Sequence, residues 1–103
     1  MARPYGEKFL RSLNATEETG AGIELAKLCV AANLPATHVA IALGTTRLTI
    51  YCWYRGQDIR KKKRKIVESF LEVLKQDLAS GVLPVKDVQG SKEYLTGLIG
   101  TKL

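Results

Sequence analysis

The sequence predicts an all-α fold: a small helical domain in which two short helices meet at one glycine and a long basic amphipathic helix follows them. Apolar residues recur three and four positions apart through most of the chain, which is the spacing of a helix face. Pro35, Gly44, Gly56, Gly81 and Pro84 punctuate those stretches. With 103 residues, 46% of them hydrophobic, the chain has room for one modest core. Residues 1–83 read as that domain, and 84–103 as an extension packing on the core or on a second subunit.

Pro4 suits the start of a short helix reaching about Leu13, with Phe9, Leu10 and Leu13 on one face and Asn14-Ala15-Thr16 interrupting it. Gly20 and Gly22 loosen the chain before a dense core helix, Ile23 to Ala32, where Leu25, Leu28, Cys29 and Ala32 share a face. Asn33-Leu34-Pro35 ends it, because the residue before a proline is pushed out of the helical region. Ala36 to Leu43 forms the next helix, stopped by Gly44. A further helix restarts at Thr45 or Thr46 and runs to Arg55, before Gly56. From about Asp58 to Ala79 the periodicity of Ile66, Val67, Phe70, Leu71, Leu74 and Leu78 marks a long amphipathic helix, closed by Ser80-Gly81. After Pro84 the chain reads as irregular, with one short helix from Ser91 to Ile99 for which Ser91 is the expected N-cap.

Composition narrows the function classes. No apolar run approaches the roughly 18 residues that a membrane span needs, and Met1-Ala2-Arg3-Pro4-Tyr5 lacks the apolar core of a secretory signal, so a cytoplasmic protein is expected. Cys29 and Cys52, with His38 the lone histidine, are too few for a structural zinc site and read as two small buried hydrophobes. No acidic metal cluster, activated nucleophile or glycine-rich phosphate loop is evident, so neither an enzyme nor a cofactor is expected.

The net charge of +6 is concentrated. Residues 47–65 hold Arg47, Arg55, Arg60, Lys61, Lys62, Lys63, Arg64 and Lys65 against Asp58 alone, while the flanking segments nearly balance. Such a block points to a polyanionic partner, since neutralising phosphates releases condensed counterions.

Two helices meeting at a tight turn need a small residue at their closest crossing, a glycine where the turn is left-handed, and apolar anchors on both. Ala40 and Gly44 sit four apart, and Val39, Leu43, Ile50 and Trp53 recur at matching intervals. The run Val39-Ala40-Ile41-Ala42-Leu43-Gly44-Thr45-Thr46-Arg47-Leu48-Thr49-Ile50-Tyr51-Cys52-Trp53-Tyr54-Arg55-Gly56 resembles the helix-turn-helix of Cro and repressor-like DNA-binding proteins, and the whole chain resembles small helix-turn-helix proteins of bacteriophages. Thr45 departs from the pattern, which usually has an aliphatic residue after the glycine.

The resemblance implies a recognition helix at 46–55 in the major groove of double-stranded DNA, with Thr46, Arg47, Leu48, Tyr51 and Cys52 on its outward face. Arg47 suits bidentate contact with guanine, and Leu48 a thymine methyl. Thr37, Thr46, Thr49 and Arg55 suit phosphate oxygens, as do some of Arg60, Lys61, Lys62, Lys63 and Arg64. Trp53 reads as a core anchor rather than a stacking platform. Of Tyr51 and Tyr54, one is expected to pack while the other reaches a phosphate. His38 is placed near the solvent side of its helix.

Val67, Leu71, Leu74 and Leu78 have the spacing of a coiled-coil seam and serve either the core or a homodimer through 66–79. Tyr94, Leu95, Leu98 and Ile99 offer a second such stripe. The expected function is transcriptional regulation of phage or bacterial type. The alternative is a phage assembly or host-interaction protein on the same fold, with a phage or host protein as partner.

Overall fold

The computed structural model describes residues 5–16 and 20–99, with the Ile99 side chain excepted. The expected helix start at Pro4 lies outside them. The described residues form six α-helices: α1 (Glu7–Ala15), α2 (Ala21–Ala32), α3 (Ala36–Leu43), α4 (Arg47–Tyr54), α5 (Lys61–Ser80) and α6 (Val88–Ile99). The all-α expectation holds, and no helix among the described residues is long and apolar enough to cross a membrane.

The core lies around α2, which packs on α1, α4 and α5, while α3 packs on α4, α5 and α6. Leu25, Ala26, Cys29 and Ala32 of α2 are completely buried, as are Val39 of α3, Ile50 of α4 and Val67 and Leu74 of α5. Each large aliphatic side chain so removed from water contributes about 1.5–3 kcal/mol.

Helices α2 and α3 stop by the same device. Asn33 and Gly44 both adopt left-handed backbone (φ 63° and 68°). The following amides then reach back five residues, Leu34 N–H to the Cys29 carbonyl (3.0 Å) and Thr45 N–H to that of Ala40 (2.9 Å), so the last carbonyls are not left unpaired. Helix α4 restarts at Thr46, whose Oγ1 accepts the Thr49 amide proton as an N-cap (3.2 Å).

Several boundaries and roles differ from expectation. α1 runs through Ala15, and α2 begins before Gly22, which is a buried helical residue rather than a loosening one. A β-carbon there would collide with the Trp53 backbone carbonyl, so Gly22 is what lets α2 and α4 approach backbone to backbone. α5 starts three residues later than expected, at Lys61.

The stripe Val67, Leu71 and Leu74 is buried and Leu78 packs against the core, so this seam serves the fold and is unavailable for a homodimer. α6 starts at Val88, because Asp87 rather than Ser91 caps it, its carboxylate accepting the Gly90 amide proton at 2.7 Å. Ser91 instead lies completely buried inside the helix. The apolar stripe of α6 divides: Leu95 is buried, Tyr94 half-buried and Leu98 exposed.

Candidate nucleic-acid interface

Helix α4 has two faces. Ile50, Trp53 and Tyr54 point into the core, and Arg47 and Leu48 stand in solvent, Leu48 being 72% exposed. Thr46 is exposed, while Thr49 and Cys52 are half-buried. The Thr46 and Thr49 hydroxyls lie 3.0 Å apart and hydrogen-bond each other, which fixes the first turn of α4. Thr37 lies exposed in the first turn of α3, and Arg55 is exposed at the end of α4.

Tyr51 departs from the expected outward face. Its ring is half-buried and meets Tyr5, Phe9 and Tyr54 edge-on, at centroid distances of 6.4, 5.7 and 5.7 Å. Tyr54 is buried, so the indicated division of labour between the two tyrosines is not made: both belong to one aromatic cluster with Tyr5 and Phe9.

That cluster also carries polar links. The Tyr5 hydroxyl donates to the Leu34 carbonyl (2.6 Å) and lies 3.0 Å from that of Tyr54, tying the chain ahead of α1 to the end of α4. The Tyr54 hydroxyl also meets the Cys29 thiol, whose burial pushes it up to about 12. Cys29 is therefore a protonated, unreactive core residue, and both cysteines are free.

Beside the outward face of α4 runs a groove, walled by Thr45, Leu48, Thr49 and Cys52 on one side and by Arg60 and Lys63 on the other, with Gln57 and Asp58 at its end. The basic run therefore begins next to the outward face of α4 rather than elsewhere on the surface. Arg60, Lys61, Lys62, Arg64 and Lys65 are exposed. Lys63 is not free: its ammonium donates to the carbonyls of Leu43 and Gly44, both at 3.0 Å. Its charge thus caps the C-terminus of α3, where the helix dipole favours a cation. Arg64 keeps its exposure but sends one guanidinium N–H to the Ile59 carbonyl (3.3 Å).

Basic charge outweighs acidic in the groove. Neither α4 nor α5 has an acid in its first turn, and α5 has no side-chain cap at Arg60. Cations at helix N-termini oppose the dipole by about 0.3–1 kcal/mol each. Arg47 and the Lys61–Arg64 turn thus add charge where backbone amides are already positive. Asp58 at the end of the groove, and Glu68 beside Arg64, offset part of it.

His38, expected near solvent, is buried. One ring nitrogen, Nδ1, hydrogen-bonds the Ser91 hydroxyl of α6 at 2.8 Å. Burial, with Lys92 adjacent, holds its pKa below the ordinary imidazole value. The sequence offered no signal for this pair, 53 residues apart. Gln57 was also missed as a groove residue, although its place just after the turn that ends α4 could have marked it.

Comparison with known protein families, curated proteins and solved structures finds no match to this chain.

Proposed function

We propose that the chain binds double-stranded DNA in a sequence-specific manner, with the outward face of α4 in the major groove. The supporting observation is the groove in which exposed Leu48 of α4 lies beside Arg60 at the start of α5's basic run. In this reading Arg47 donates to guanine O6 and N7, and Leu48 covers a thymine methyl. Arg60, Lys61, Lys62 and Arg64 neutralise phosphates along the flank, and Thr37 and Arg55 reach further phosphates. Lys63 and the Thr46–Thr49 pair hold the reading helix at a fixed angle. The biological setting, transcriptional regulation in bacteria or their phages, rests on the resemblance of residues 39–56 to Cro and repressor-like proteins.

Selection from a random duplex library at one fixed salt concentration tests this, with Arg47→Ala in parallel. The expected outcome is a consensus which the variant relaxes at one base pair, a loss of about 1–3 kcal/mol of discrimination there. Absence of a consensus sinks the reading and leaves the groove to another anionic partner.

A further inference from the structure

A cleft of about 480 Å³ opens between α1 and the C-terminal end of α4, and it shares no lining residue with the groove beside Leu48. Phe9, Leu13, Ile23 and Tyr54 supply its apolar surface. Leu13, Ile23 and Tyr54 are buried, so they present the edge of the core, and Phe9 is half-buried. The Tyr54 hydroxyl is already bonded to that of Tyr5, which leaves the ring of Tyr54 for the cleft rather than a free hydroxyl. The polar part comes from two helices. Lys8 and Ser12 are four residues apart on α1 and share a face, and Arg55 stands across from them at the end of α4. Lys8 and Arg55 are exposed, and neither makes an ion pair among the described residues.

We propose that this cleft binds a small aromatic carboxylate, with its ring against Phe9 and Tyr54 and its carboxylate held by Arg55 and Lys8. Charge selects an anion. None of the described residues lining the cleft is acidic, whereas the groove beside α4 includes Asp58 and the cleft at the start of α2 includes Asp58 and Glu68. The guanidinium fork of Arg55 matches the two oxygens of a carboxylate, and the Lys8 ammonium adds a second charge.

The apolar surface selects the rest of the ligand. A purely ionic species such as inorganic phosphate would leave Phe9 and the core edge wet, whereas an aromatic body covers them. Two rings in the lining favour a third, which can pack offset or edge-on against them. The volume suits one such molecule, since small-molecule sites span roughly 300–1,000 Å³. The proposal does not rest on DNA binding. Arg55 is common to both readings, so the site is tested without DNA.

Amide NMR titration of the full chain with naphthoate is the experiment, with naphthalenemethanol as the neutral counterpart. Saturable shifts are expected at Lys8, Ser12, Ile23 and Arg55, and the alcohol should bind about tenfold more weakly. Arg55→Gln should weaken naphthoate about fivefold and Lys8→Gln about threefold, with affinity for the alcohol unchanged, which a merely structural role for either residue does not explain. Equal affinity for acid and alcohol overturns the proposal, as do shifts confined to the basic run of α5. Absence of binding overturns it too. So does binding that appears only in a Glu17→Gln, Glu18→Gln double variant, which would give the cleft to the chain's own carboxylates.

Discussion

Helices α4 and α6 are both docked on the α2–α3 layer, but by different physics. α4 sits against α2 with backbone touching backbone, through Gly22 and Trp53, and buries Ile50, Trp53 and Tyr54. α6 buries Leu95 and packs on α3 with a hydrogen bond between His38 and Ser91, while Tyr94 donates to Asp77 of α5 at 2.5 Å. The first attachment is a continuous apolar fit that tolerates no added atom. The second depends on individual polar contacts, each of which can be removed or titrated.

The largest effect should follow from adding one methyl group to the first attachment. On an open helix surface Gly→Ala stabilises by about 1 kcal/mol through propensity. At Gly22 the new β-carbon meets the Trp53 carbonyl, and a backbone group cannot swing aside as a flexible side chain can. Gly22→Ala is therefore expected to destabilise by about 3 kcal/mol. Denaturant unfolding checks it, and a variant as stable as the parent would show that α2 and α4 are not in such close contact.

The contrast also explains what could be read in advance. The frame of the α3–α4 turn follows from local rules: the 3.6-residue period of Val39, Leu43, Ile50 and Trp53, the left-handed glycine at Gly44, and the restart at Thr45 or Thr46. Those are legible because each concerns residues within a few positions of one another. Gly22 looked like a breaker because its close neighbour lies 31 residues away, and a glycine that opens a turn looks the same in sequence as one that admits another backbone. His38 and Ser91 were misassigned for a related reason. Burial of a polar residue depends on a partner that no periodicity announces. Lys63 was counted with its neighbours because charge runs are read by composition, whereas its role depends on the carbonyls that α3 leaves at Leu43 and Gly44.

The second attachment can be broken at its polar link. Ser91→Ala leaves the buried Nδ1 of His38 without its partner and should cost about 1–3 kcal/mol. Acid should act on the same contact. Burial and Lys92 hold the folded-state pKa of His38 below the ordinary value near 6.5, so the unfolded chain takes up the proton first as pH falls. Stability is then fully present above that value and declines as pH drops below it. A His38→Gln variant should lose this limb of the pH profile between about pH 6.5 and the onset of carboxylate titration. Identical profiles for the two proteins would mean that the imidazole protonates as easily folded as unfolded.

The smallest expected effect separates two lysines adjacent in sequence. Lys62 is exposed, and Lys63 is committed to the end of α3. If the basic run neutralises phosphates, Lys62→Gln should leave thermal stability unchanged and make the log–log dependence of affinity on salt shallower by about one. Lys63→Gln should do the reverse. It loses a cation from a helix C-terminus and two charge-assisted hydrogen bonds, a destabilisation of about 1 kcal/mol, with the salt slope unaltered. Because Lys63 also joins α5 to the turn before α4, its loss should blunt discrimination between duplex sequences more than total affinity. Equal salt slopes for the two variants would mean that Lys63 leaves the turn when nucleic acid binds, and that the strut between α3 and α5 belongs to the free protein alone.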